Sequence, residues 1–139
     1  PDIVAEDWLA RRQQALDALG AADWRDRRAQ FERELALTAR AIRADTLVLA
    51  GTDAGDLFVP PGASLHDELA LLVEAGMSEM RALRAATTDS TTVLGLADRG
   101  VIRAGAKADL VILGSDPLQD IENTGDIEFV ILGGTLLAP

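Results

Sequence analysis

Asp53 is the residue whose surroundings point most directly to chemistry. It lies in Thr46-Leu47-Val48-Leu49-Ala50-Gly51-Thr52-Asp53-Ala54-Gly55, where an apolar run ends in a turn of small residues that carries one carboxylate. An acid delivered to the end of a buried strand can ligate a metal or move a proton. Asp after a strand is also a common turn residue and helix cap, so the segment alone leaves both roles open. The only histidine, His66, follows Ser64 by two positions. No Ser-His-acid arrangement has convincing context, so Ser64 reads as a helix N-cap in preference to a nucleophile. His66 reads as a solvent-facing or locally hydrogen-bonded residue, or as a contact to substrate. The sequence has no Cys, which excludes disulfides, thiolate nucleophiles and Cys-ligated metals. Asp109 and Asp116 belong to turns and carry no assigned chemistry.

The elements that must position these residues follow from the apolar pattern. Residues 4–19 predict an amphipathic helix with Val4, Trp8, Ala15, Leu16 and Leu19 near one face. Gly20 ends it, and Asp23 with Asp26 suggests a capping box for a second helix reaching about residue 44. Trp24, Phe31, Leu35, Ala39 and Ile42 form the stripe of that helix. Thr46 to Ala50 lacks alternation, as a strand buried on both faces does. Pro60, Pro61 and Gly62 then break regular structure. Ser64 opens a helix over 65–75 with Asp67 and Glu68 in its first turn, and Ser78 opens another to about Leu94. After Gly95 come short strands at 101–102, 110–113, 127–132 and 135–138, the last two joined by Gly133-Gly134 as a hairpin. The chain therefore divides into a helical part, 1–95, and a β part, 96–139.

A length of 139 residues with 48% hydrophobic and 26% charged residues suits one ordinary folded domain. The net charge of −10 argues against nucleic acid as a partner, because phosphate binding relies on clustered Lys and Arg. No apolar run approaches the ~20 residues of a membrane span. The inventory nonetheless poses a physical problem. One strand at 46–50 cannot make a sheet by itself, and the short strands after 96 look like half a sandwich.

In order and spacing, these segments resemble the C-terminal part of a metal-dependent amidohydrolase of the imidazolonepropionase- and prolidase-like branch. The matching residues are Ala50-Gly51-Thr52-Asp53-Ala54-Gly55 and Pro61-Gly62-Ala63-Ser64-Leu65-His66-Asp67-Glu68-Leu69. After them come Leu72-Val73-Glu74-Ala75-Gly76-Met77, Ala82-Leu83-Arg84-Ala85-Ala86-Thr87 and Gly105-Ala106-Lys107-Ala108-Asp109-Leu110-Val111-Ile112-Leu113. The fold class implied is α/β: the C-terminal fragment of a (β/α)8 TIM barrel, with its last strand at 46–50 and the helices that follow, plus half of an accessory β-sandwich.

The resemblance implies a divalent metal, zinc by preference, as one or two ions at the carboxyl ends of the barrel strands. Asp53 matches the acid that ligates the metal site and shuttles a proton during hydrolysis of an amide, peptide or cyclic amide C–N bond. Residues 54–66 would line the substrate side, with Gly55, Ser64 and His66 as substrate contacts. The implied partner is the remainder of the barrel, from the same parent chain or another subunit; a homo-oligomer is also compatible. The family pattern needs a His-x-His pair and further histidines, and neither is present. Lys107 sits in the β part and does not match a bridging lysine. A whole barrel takes ~250 residues, so the sequence reads as a fragment, inactive alone. The rival expectation is a non-catalytic module whose orphan strands pair with a second copy or another subunit.

Overall fold

A computed structural model describes residues 2–56 and 58–137, with side chains described for all of these except 2–7, 21 and 22. The Val4 side chain, loop residue Leu57 and the expected strand end Ala138 lie outside the described residues. Two helices come first, α1 (Asp2–Asp17) and α2 (Ala21–Arg43). The expected Asp23–Asp26 capping pair is corrected: Gly20 takes the N-cap position, and Asp23 reaches back to accept its amide at 2.8 Å. Arg40 and Arg43 occupy the last turn of α2, where the helix dipole favours cations. Only the C-terminal half of the α2 stripe is covered. Ile42 is buried and Leu35 and Ala39 pack on the core, whereas Trp24 and Phe31 stay exposed.

Residues 46–50 follow a turn at Asp45, whose φ is +53°. They form no strand ladder among the described residues, so the strand expected there has nothing to pair with. Helices hold the segment instead. The Ala50 amide donates to the Ala85 carbonyl at 3.2 Å, and Arg81 Nη2 donates to the Thr46 carbonyl at 3.1 Å. Val48 and Ala50 pack on the core, but Leu47 is 61% exposed.

Three helices follow: α3 (Ala63–Glu74), α4 (Glu79–Ala86) and α5 (Thr88–Val93). Gly62, with φ +89°, is the N-cap of α3, so Ser64 lies inside the helix and is not its cap. Asp67 and Glu68 accordingly sit beyond the first turn where they were expected. A positive φ is cheap for glycine, and it lets the chain enter the helix earlier than the Ser-x-x pattern suggests. Ser78 does cap α4, accepting the Arg81 amide at 3.4 Å. The single helix expected from Ser78 to Leu94 is split at Thr87. There the Thr87 hydroxyl donates to the Leu83 carbonyl at 2.7 Å and the Ser90 hydroxyl to the Ala85 carbonyl at 2.6 Å. Hydroxyls that take helix carbonyls compete with the amide ladder and bend the chain away.

The core joins Ile42, Leu69, Leu72, Ala75, Met77, Ala82, Ala85 and Ile121. Ala82 is fully buried at 0% exposure, and a methyl side chain there lets α3 and α4 approach closely. Ile121 comes from a 3-10 turn, Ile121–Gly125, that packs against α3 and ties the β part to the helices.

The β part is an antiparallel meander of β1 (Leu110–Leu113), β2 (Ile127–Leu132) and β3 (Thr135–Leu137), in that order across the sheet. Leu110 pairs with Ile131, which pairs with Leu136; Val111 pairs with Val130, which pairs with Leu137. Gly133 and Gly134 both have positive φ, +57° and +83°, as the tight two-residue hairpin requires. The strand expected at Val101-Ile102 is absent and Ile102 is 89% exposed. It lies between Gly100, at φ +75°, and the turn in which the Ala106 amide meets the Arg103 carbonyl at 3.1 Å. Two residues between such turns cannot build a ladder.

Candidate functional site

The Asp53 turn begins where the apolar segment leaves the helices. The Gly51 amide donates to Glu68 Oε1 on α3 at 3.2 Å. Asp53 itself has φ +51°, in the left-handed region that Asp tolerates better than most side-chain-bearing residues. It is exposed, and among the described residues its carboxylate has no hydrogen-bond or ion-pair partner. Gly55, with φ +124°, donates its amide to the Val59 carbonyl at 3.3 Å, and Asp56 Oδ1 accepts the Phe58 amide at 3.3 Å. Gly55 thus shapes the loop after the acid.

Ser64 and His66 lie on α3. Ser64 is buried, and its Oγ has no hydrogen-bond partner among the described residues. His66 Nδ1 is 3.0 Å from Thr124 Oγ1 in the 3-10 turn. The Thr124 hydroxyl also lies 2.8 Å from the Ile121 carbonyl, so its single proton serves only one of the two contacts. His66 also borders a cleft of about 420 Å³ between the helices and the sheet, with Leu65, Leu69, Leu83, Val111 and Thr124 among its walls. Neither Asp53, Gly55 nor Ser64 lines that cleft. The four residues singled out from sequence thus occupy three settings: an exposed acid turn, a buried hydroxyl and a histidine bridge.

Glu68 is the residue sequence reasoning passed over. It reads as a helix-dipole acid, and its contact to Gly51 spans 17 residues. The one available signal is its place two residues beyond His66, which puts the two on nearly opposite faces of one helix.

A zinc site needs three or four ligands. The described residues contain no group of three or more His, Cys, Asp or Glu able to hold a metal. Asp53 fits as one anionic oxygen ligand; the described residues do not complete a site around it.

The chain is thus of mixed α/β class, with an unpaired apolar segment ending in an acid turn and a small antiparallel sheet joined to its helices. The amidohydrolase family matches residues 9–137, and the chain belongs to that family. It is 31% identical over 102 residues to an adenine deaminase of Methylobacterium sp. (strain 4-46), covering 73% of this chain and 17% of the deaminase. A crystal structure of a candidate prolidase from Bifidobacterium longum is 30% identical, with a TM-score of 0.78, covering 91% of this chain and 31% of that one. A crystal structure of an Xaa-Pro dipeptidase with methionine bound in its active site is 29% identical, with a TM-score of 0.69, covering 76% of this chain and 25% of that one. The chain spans less than a third of each of these proteins, with 31% the largest share.

Proposed function

We propose that this chain is the C-terminal part of a metal-dependent hydrolase of C–N bonds, acting on an amide, peptide or cyclic amide, and inactive without the rest of the enzyme. The observation that carries this is the Asp53 turn: an exposed carboxylate at the end of an apolar segment, with neither a partner nor a ladder among the described residues, within a family match over residues 9–137. In this proposal 46–50 is the last strand of a (β/α)8 barrel, paired with strands from the remainder of the protein. The exposure of Leu47 and the lack of any ladder support that pairing. The meander β1–β3 is the C-terminal half of an accessory sandwich. Support comes from apolar residues exposed on both of its faces, Val111 at 54% on one and Leu136 at 58% on the other.

Asp53 would contribute one ligand to a divalent metal, zinc by preference, with the remaining ligands supplied from outside these residues. When bound, such a metal lowers the pKa of water and polarises a carbonyl. The part of this chain is proton movement. The Asp53 carboxylate accepts a proton from the attacking water and, once protonated, returns it to the leaving nitrogen. Similarity to an Xaa-Pro dipeptidase and a candidate prolidase makes Xaa-Pro dipeptides the first substrates to assay. Similarity to an adenine deaminase makes adenine the next.

The test is Asp53→Asn in the complete protein, with hydrolysis and metal content measured together. Turnover should fall by roughly 10²–10⁴, the contribution of one acid–base group. Near-normal turnover with metal retained would remove the proposed role. Exposed apolar residues on the sheet also favour the alternative of a non-catalytic assembly module. What co-purifies decides between them, since self-association is expected of either: a histidine-rich larger polypeptide bearing metal supports the enzyme, and a partner that brings no metal supports assembly.

A further inference from the structure

We propose that Glu68 is a positioning residue for Asp53: its carboxylate holds the Gly51 amide and so sets where the acid-bearing turn leaves the body of the protein. The proposal rests on the role given to Asp53 above and adds a group from a different element.

The anchors along the segment show why Glu68 matters. Arg81 holds the Thr46 carbonyl at 3.1 Å, and the Ala85 carbonyl holds the Ala50 amide at 3.2 Å. The Gly51 amide on Glu68 Oε1, at 3.2 Å, is the last of these ties before Asp53. The next backbone hydrogen bond along the chain is that of the Gly55 amide to Val59, at 3.3 Å. Asp53 thus sits, at φ +51°, on a short span suspended between Gly51 and Gly55. A left-handed backbone is less costly for Asp than for most side-chain-bearing residues, and the anchors on either side hold it there. The nearest upstream constraint is one hydrogen bond to one carboxylate.

The chemistry of that bond is specific. A carboxylate is an acceptor with no donor of its own, and its charge strengthens a bond to an amide. Glutamine retains the carbonyl oxygen that accepts; alanine does not. The neighbouring core residues Leu69 and Leu72 do not depend on the Glu68 head group, so the helix can survive its loss. Gly51 has open space where a side chain would stand, so the tie lies in its amide and not in a steric demand for glycine.

Two measurements on the complete enzyme test this, with zinc as the probe. In competition with a chelator, Glu68→Ala should weaken zinc binding ~10–100-fold, the range found when the outer partner of a metal ligand is lost. Glu68→Gln should restore most of that affinity. In an Asp53→Asn background Glu68→Ala should add no further loss, because the two act as one unit. An equal loss in that background, a Gln variant as weak as Ala, or an unchanged Ala variant overturns the proposal. The second measurement needs neither metal nor substrate. With isotope-labelled glycine, the Gly51 amide resonance should move in Glu68→Ala and hold its place in Glu68→Gln. Should Asp53→Asn leave zinc binding and hydrolysis intact, the role of Asp53 fails by itself. The Gly51 resonance then still decides whether Glu68 holds the turn, and an unmoved resonance in Glu68→Ala overturns it.

Discussion

Ser64 and His66 are two residues apart on α3, and their side chains are in opposite conditions. The His66 ring is engaged, with Nδ1 3.0 Å from a hydroxyl 58 residues away. The Ser64 hydroxyl is buried with no partner. A buried, unbonded hydroxyl costs desolvation energy and returns nothing, so Ser64→Ala should raise stability by up to about 1 kcal/mol or leave it unchanged. Thermal unfolding of the two proteins measures this. Were Ser64 a substrate contact, the same variant of the complete enzyme would raise KM for a hydrolysed substrate while Tm stayed level or rose. Asp53 was legible in the sequence because its signal is local: an apolar run, small residues and one acid. Glu68 was not, because the group it serves lies far off along the chain and only the packing of α3 brings them together.

At the scale of elements, helices and the hairpin follow local rules with instructive exceptions. The existence of α2, α3, α4 and the β2–β3 hairpin follows from periodicity and from Gly133-Gly134. Their ends depended on glycines and hydroxyls choosing among several backbone partners, as at Gly20, Gly62 and Thr87. Asp109 shows how the hairpin is fastened to β1. Its Oδ1 accepts the Gly133 amide at 2.7 Å, and its Oδ2 meets Lys107 Nζ at 3.1 Å. The Gly133 amide, aided by Lys107 and opposed by desolvation, holds the Asp109 carboxyl below the ordinary carboxylate range. A carboxyl with a lowered folded pKa stabilises the fold fully above its unfolded pKa, and the benefit is lost as pH falls through the folded value. The Gly133 amide should therefore lose exchange protection on acidification through and below the ordinary carboxylate range. Asp109→Asn should abolish that pH dependence at Gly133, as followed by hydrogen exchange. Asp98, held low chiefly by its hydrogen bond to Arg99, titrates in the same direction and is left intact in the variant as an internal comparison.

For the molecule as a whole, the distribution of apolar surface carries the most information. Among the described residues a core of eight joins the helices to the 3-10 turn, while Leu47, Val111, Leu132 and Leu136 remain in the open. Apolar surface of this kind calls for cover. Expressed by itself, the chain should self-associate, with a light-scattering mass above that of one chain. The net charge of −10 opposes such contacts, so added salt should strengthen them by screening. A strictly monomeric chain at all salt concentrations would count against the exposed sheet faces as interfaces.

Periodicity by itself determined a mixed helix-and-strand chain with one conspicuous acid, and the resemblance of its motifs pointed to the amidohydrolase family, because each of those signals is written in neighbouring residues. The placement of that acid on a left-handed turn tied to Glu68, the engagement of His66 by Thr124 and the isolation of the Ser64 hydroxyl were decided only by tertiary structure. Each of these depends on groups separated along the chain meeting in space, and hydrogen bonding at that range leaves no periodic trace in a sequence.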